Sequence, residues 1–506
     1  MRRRIFCLAA AALLLLSGCR PAPDTPEEEV PLPSEETEIA PEEVSLLPER
    51  FSLPYQPDQP LDPITCPDGM QQTVTSLICE GLFRLNGALE PEPCLCERYT
   101  ADEAHLTYTF TLRAGVVFSD GAPLTAADAK AALERARTSA RYGARLRNVA
   151  SLSAAGDTLT VTLSAPDGRF PSLLDIPISR AGEEANIPLG TGPYLFAREE
   201  SVAYLVASET WRQSGERPVE RIFLEEAADG DAALYRFTSR DVQLITADLT
   251  GASPVSVTGD VRYQDAPTTV MQYLLCNTRR QPLDSASLRR ALGLGINRGY
   301  LVSALLSGHG DSAFAPVSPV SALYPRQLEE SYSAAAFSAA LAECGYVSER
   351  TLALLVNREN PFKVSVAEHL ARTFTSAGVP TEAVILPWEE YTAALEAGNF
   401  DLCYSEVKLA ANWDLSALLS SAGTLNYGGW ADEETDRLLA AYAAASDPTG
   451  AMQVLCTHLR SCAPILPICF KRVSVLTGPD VVTLSAPTAA EPFFDLSNCA
   501  IRLREG

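Results

Sequence analysis

From Leu106 to Leu112 the apolar residues Leu106, Tyr108, Phe110 and Leu112 alternate with Thr107, Thr109 and Thr111. Such a period of two is the mark of a half-buried strand. Ser119-Asp120-Gly121 supplies turn chemistry. Thr125 is then spaced to cap a helix with Asp128, and Ala129, Ala132, Leu133 and Ala136 make an apolar stripe at helical spacing. Alternation returns at Leu159, Val161 and Leu163, and Leu288, Leu292 and Ile296 share one helix face. Further on, strand Leu352 to Val356, helix Phe362 to Ala377 with Gly378 as its stop, strand Val384 to Leu386, helix Glu389 to Ala397 and strand Phe400 to Tyr404 alternate. That order predicts a parallel sheet with helices on its faces.

The N-terminus breaks this pattern. Arg2, Arg3 and Arg4 precede an apolar run from Ile5 to Leu16, too short for the roughly 18 to 20 residues of a membrane span, so residues 1–18 read as a signal peptide. Residues 20–50 carry seven prolines and ten acidic residues against two basic ones. Such a segment cannot bury enough apolar surface to fold and is expected to be an extended tether. The remaining 51–506 are too long for one simple core, so two or three domains are expected. The formal net charge of −24 argues against nucleic acid or an anionic membrane surface as a partner and is compatible with a cationic or zwitterionic ligand.

Of thirteen cysteines, Cys7 lies in the signal and Cys19 at its end. The other eleven lack zinc-knuckle spacing, and His105, His309, His369 and His458 are scattered, so no metal site and no cofactor are expected. Most of these cysteines read as small buried hydrophobes, with one or two disulfides left open.

The order of residues adds what the pattern does not. Tyr108-x-Phe110-x-Leu112-Arg113-x-Gly115-Val116-x-Phe118-x-Asp120-Gly121-x-Pro123-Leu124-Thr125-Ala126-x-Asp128 resembles the "tytFxLRxGvkFxDGxPlTAeDV" segment of family 5 extracytoplasmic solute-binding proteins, which serve ABC importers of peptides and nickel. Ala114 and Val117 are its small departures. Pro60 to Pro63 with Glu80-Gly81-Leu82-Phe83-Arg84, Gly190-Thr191-Gly192-Pro193-Tyr194, and Leu283 to Arg298 are similar to further family blocks. Leu16-Ser17-Gly18-Cys19 looks like a lipobox, which would make Cys19 the lipidated first residue and acyl chains the membrane anchor.

The resemblance implies an α/β, bilobal periplasmic-binding-protein-like fold (type II, cluster C) with an extra small intermediate domain. Lobe I would take 51–70, 186–268 and 475–506, the intermediate domain 71–185 and lobe II 269–474, behind the lipidated Cys19 and tether of 19–50. It also implies where a ligand lies. Val407 to Leu439 resembles the family's "aDypDP…gsxNyxgy" block, in which an aspartate pairs with a peptide ammonium; here Asn412 holds that position and Asp414 is the alternative, unless Asp414 caps a helix. Trp413, Asn426 and Tyr427 are gathered in the same loops. Asn357 and Arg358, at a strand's C-terminal end, are candidates for a ligand carboxylate, and Cys66 and Asp68 lie in the Ile64–Asp68 segment that flanks the ligand in that family.

The expected function is therefore non-covalent: a lipid-anchored, extracytoplasmic monomer that closes on a small solute, an oligopeptide first, and hands it to ABC permease subunits. Two rivals stand beside it. A secreted hydrolase would draw on Ser312 near His309 or on Asp432, Glu433, Glu434 and Asp436, and a binding protein of the same fold would serve a non-peptide solute or sensing.

Overall fold

The computed structural model describes residues 47–504 except 68, 183–185, 214–216, 254–256, 258–259 and 348–349. The signal peptide, Cys19, nearly all of the tether, and Asp68 lie outside the described residues.

The alternating threonines do what their pattern requires. Strand Thr107–Leu112 sits between Cys96–Ala101 and Thr158–Leu163, with Val149–Ala155 outermost, in a four-stranded antiparallel sheet. Tyr108, Phe110, Leu112, Leu159, Val161 and Leu163 face one core, covered by Ala129, Ala132, Leu133 and Ala136 of helix Ala126–Arg137. The helix begins with the capping box its spacing predicts, Thr125 N–H donating to Asp128 Oδ2 at 2.8 Å.

A second sheet orders Ser52–Tyr55, Arg221–Glu226, Val202–Ala207 and Tyr194–Glu199, the first pair parallel and the rest antiparallel. Helix Met70–Ile78 buries Val74, Leu77 and Ile78 in the core of this sheet, with Phe51, Leu53, Tyr194 and Leu205.

The third sheet has seven strands. Leu244–Ala247, Ile465–Thr477, Arg262–Cys276 and Leu402–Lys408 run antiparallel to their neighbours; Leu352–Asn357 then pairs parallel with both Leu402–Lys408 and Thr381–Leu386. Short strand Gly310–Ser312 pairs off this path with Ile465–Thr477. Helix Pro361–Ser376 covers one face through Val366, Leu370 and Phe374, together with Leu288 and Leu292. Two strands are longer than hydrophobicity alone indicates. Polar Thr381 and Glu382 pair with Leu352 and Ala353, and Glu406 and Lys408 pair with Gln272 and Val270, because backbone ladders do not depend on side-chain polarity.

Two strands tie these parts together. Arg262–Pro267 pairs with Thr477–Arg472 beside Leu244–Ala247, whereas Met271–Leu275 pairs with Phe470–Ile465 beside Leu402–Lys408. The ladder is interrupted between Pro267 and Met271. Thr268 spans that gap: its Oγ1 donates to Lys471 O at 2.7 Å and accepts from Val270 N–H at 3.0 Å. The eleven cysteines among the described residues carry no disulfide; nine are buried, and burial pushes the Cys276, Cys456 and Cys469 thiols up to about 12.

Candidate functional site

The carboxyl ends of the parallel strands come first. From Leu352–Asn357 the chain passes through helix Pro361–Ser376 to Thr381–Leu386 on one side, then through helix Trp388–Glu396 to Leu402–Lys408 on the other. The two helices lie on opposite faces of the sheet, Val366, Leu370 and Phe374 packing in one core and Tyr391 in another, and in open α/β sheets ligands bind outside the carboxyl ends of strands where the order reverses in this way. Asn357 and Arg358 stand there. Asn357 is buried, its amide donating to Glu359 Oε2 at 3.3 Å; Arg358 is exposed and makes no ion pair among the described residues. Trp388, also exposed, stacks on Tyr391, and its N–H donates to Glu359 Oε1 at 2.9 Å, holding that carboxyl below its usual range.

A polar chain runs from this edge to the interrupted ladder. Lys363 Nζ lies 3.4 Å from Glu406 Oε2, which also accepts from Gln272 Nε2 at 2.9 Å and lies 3.7 Å from Lys471 Nζ. Lys471, buried, pairs in turn with Asp248, just past strand Leu244–Ala247. Nearby, Asn360 caps helix Pro361–Ser376 through Oδ1 while its Nδ2 donates to Thr250 O at 2.9 Å. Two contacts thus join the segment after Leu244–Ala247 to the parallel part of the sheet.

The loop after strand Leu402–Lys408 holds the other candidates. Trp413 is fully buried, with φ 58° and its ring edge-on to Phe470 at 5.8 Å, so it fills the core. Asn412 is buried as well: Nδ2 donates to Asp167 Oδ2 at 2.8 Å and its carbonyl accepts from Tyr442 OH at 2.6 Å. Asp414 Oδ2 pairs with Arg147 at 2.5 Å, and Oδ1 accepts from Ser416 N–H at 2.9 Å at the start of helix Ser416–Leu419, whose cap position is Leu415. Burial raises the Asp167 carboxyl to about 6; the Asn412 amide and the Arg169 N–H pull it down, and the Asp414 charge adds to the rise. Arg145, Arg147, Asp167, Asn412 and Asp414 line a cavity of about 120 Å³.

Asn426 is spent on its own loop: Nδ2 donates to Ser420 O and Trp430 O, and Oδ1 accepts from Trp430 N–H. Tyr427 packs half-buried on the core that holds Trp413. Cys66 is buried elsewhere, with its carbonyl accepting from Arg141. Arg147, Asp167, Lys471 and Asp248 escape sequence reasoning because each meets its partner across more than two hundred residues and sits in no motif.

Ser312 lies in strand Gly310–Ser312 opposite Cys469, and the other hydrolase candidates are engaged in pairs and caps. His309 Nδ1 meets Asp265 Oδ2 at 3.0 Å, but the neighbouring hydroxyl is the buried Ser474, which donates to Asp265 Oδ1 at 2.5 Å, leaving no activated nucleophile in that trio. Asp432 caps helix Glu433–Ala443, and Glu433, Glu434 and Asp436 fill its first turn. Asp432, at the start of one helix, comes together in the structure with His458 and Cys462 of the next. A cavity of about 560 Å³ lies apart from all the candidates, bordered by Arg290, Leu294, Arg298, Phe314, Glu343 and Leu466.

The chain is 24% identical over 418 residues to the glutathione-binding protein GsiB of Escherichia coli K12, covering 77% of this chain and 81% of that one. Its fold matches the ABC transporter substrate-binding protein CtaP of Listeria monocytogenes with a TM-score of 0.73 at 18% identity, over 90% of this chain and 99% of that one. It also matches the oligopeptide-binding protein AppA of Bacillus subtilis in complex with a nonapeptide, with a TM-score of 0.61 at 18% identity, over 89% and 97% of the two chains. These likenesses give the cluster C α/β fold. Residues 90–428 match the model of the bacterial extracellular solute-binding proteins, family 5. The chain belongs to that family, and is a non-enzymatic, extracytoplasmic substrate-binding protein of an ABC importer.

Proposed function

We propose that the solute is an oligopeptide, held between a lobe of 51–70, 186–268 and 475–506 and a lobe of 269–474, with 71–185 as an intermediate domain. The observation that carries this reading is the exposed Arg358 guanidinium at the C-terminal end of a central parallel strand. A planar guanidinium open to solvent offers paired donors to a carboxylate. Asp414 and Asp167 line one small cavity, where an ammonium would meet Asp414 in exchange for its Arg147 partner. GsiB and AppA, by their names, bind glutathione and oligopeptides, solutes that carry both groups. What the solute adds across the two lobes stabilises closure.

The anchor belongs to the same reading. Cys19 carries lipid, and the acidic tether holds the body near its permease. Labelling with a radioactive fatty acid is expected to mark the wild type and not Cys19→Ser.

Calorimetry on the full-length protein tests the solute, once mass spectrometry of co-purified material has supplied a peptide. Arg358→Ala is expected to cost about 1.5–3 kcal/mol toward a free carboxyl terminus and little toward the amidated peptide. Asp414→Ala is expected to weaken free amino termini and spare blocked ones. Equal losses for free and blocked peptides would remove both assignments.

A further inference from the structure

We propose that Asp432, His458 and Cys462 form a binding site for a divalent cation of borderline softness, zinc above all. The site is separate from the solute reading and rests on different residues. His458 and Cys462 are four apart on helix Pro448–Cys462, one turn and therefore one face. Asp432 comes from the start of the neighbouring helix, Glu433–Ala443. One donor atom from each lies within 4.8 Å of the others. His458 Nε2 is 2.8 Å from Asp432 Oδ2, and Cys462 Sγ is 3.6 Å from the same Nε2.

Those spacings suit a tetrahedral ion. With about 2.3 Å to sulfur and about 2.0–2.2 Å to nitrogen and oxygen, the edges of a zinc tetrahedron measure roughly 3.4–3.6 Å. The sulfur–nitrogen edge already has that length. The nitrogen–oxygen pair, now a hydrogen bond, needs to widen by about 0.6 Å on the same scale. All three side chains are half-buried, open enough for an ion to enter. A thiolate, an imidazole and a carboxylate together favour zinc over calcium or magnesium, which take oxygen ligands.

The surroundings orient the donors. Thr435, buried, donates to Asp432 Oδ2 at 2.7 Å and lies 3.1 Å from His458 Nε2, while its oxygen accepts from Trp430 Nε1 at 3.1 Å. Arg289, buried, donates to the Cys462 carbonyl and so fixes the end of the helix that carries the sulfur. On binding, the thiol proton leaves to solvent, and the ring proton that Nε2 shares with Asp432 passes by tautomer exchange through water to Nδ1, which frees the Nε2 lone pair for the ion. Thr435 Oγ1 or a water completes the fourth position. The ion would pin two consecutive helices of the larger sheet's flank.

Cobalt is the probe, since a thiolate ligand gives it a near-ultraviolet charge-transfer band and four-coordination gives it strong visible absorption. The full-length protein, kept reduced, is expected to take up one equivalent with both signals and to melt at higher temperature with zinc. Cys462→Ser, nearly isosteric, is expected to lose the charge-transfer band and the zinc-induced shift while its metal-free melting point stays put. Thr435→Val is expected to weaken uptake roughly 10- to 100-fold. Uptake without the band, a band that survives in Cys462→Ser, or no uptake by the wild type would each overturn the site.

Discussion

Asp167 shows how a single side chain shapes its neighbours. Its carboxyl is buried, and loss of water raises it to about 6 although an amide and a backbone N–H favour the charged form. Asn412, where relatives of the peptide-binding type are expected to carry aspartate, is the donor of that amide. An aspartate there would set two carboxylates against each other, so the asparagine is explained by its partner. The sign of the pH effect follows. A folded value above the unfolded one, near 3.9, means the native state holds the proton longer. The group's contribution to stability is therefore complete below about pH 4 and is lost as pH rises through about 6. Relative to Asp167→Asn, the wild type is expected to lose on the order of 2 kcal/mol between pH 4 and 7, read as diverging melting temperatures. Parallel curves would mean Asp167 is solvated. Nothing in Ala165-Pro166-Asp167-Gly168 distinguishes it from an ordinary turn, because its environment is made by a segment 245 residues away.

Elements were legible where local pattern sets them, and less so where long-range packing does. The run from Thr107 to Arg137 forms the strand, turn and capped helix that its spacing predicts, because each depends on residues within a few positions. The parallel units from Leu352 onward follow for the same reason, with strand ends misjudged where polar residues join a ladder. The stretch Gly190-Thr191-Gly192-Pro193 reads as a tight turn, but its glycines answer to a partner. A Cβ on Gly190 would come within 2.0 Å of Ile78 O, and one on Gly192 within 2.6 Å of the Ile78 carbonyl carbon and Leu77 O. The chain thus needs bare backbone to pass the end of helix Met70–Ile78, where Gly192 N–H donates to Ile78 O at 2.8 Å. Gly192→Ala is expected to destabilise by roughly 1–3 kcal/mol or more, measured by urea unfolding. A change below about 0.5 kcal/mol, the range of ordinary surface substitutions, would show that the helix end yields freely.

At the scale of the whole molecule, the long strands Arg262–Cys276 and Ile465–Thr477 are the structural link that a closing motion would have to bend. Their ladder is interrupted at Pro267–Met271, and a strand pair bends most easily where backbone bonds are missing. Contacts beside the gap resist opening: Lys471 holds Asp248 and reaches Glu406, and Asn360 holds Thr250 O. These contacts are made within the protein itself and so bias the molecule toward the arrangement described here. Removing them with Asp248→Asn and Asn360→Ala together takes away one charge contact whose carboxylate is exposed and one amide bond, on the order of 1–2 kcal/mol. A shift of that size lowers the fraction of competent molecules, and apparent affinity falls by the same factor. The double variant is expected to show a larger radius of gyration by X-ray scattering without solute, to return to the wild-type value at saturation, and to bind more weakly. An unchanged radius with unchanged affinity would place the bending point away from this break, since a latch that costs nothing to lose is not holding the hinge.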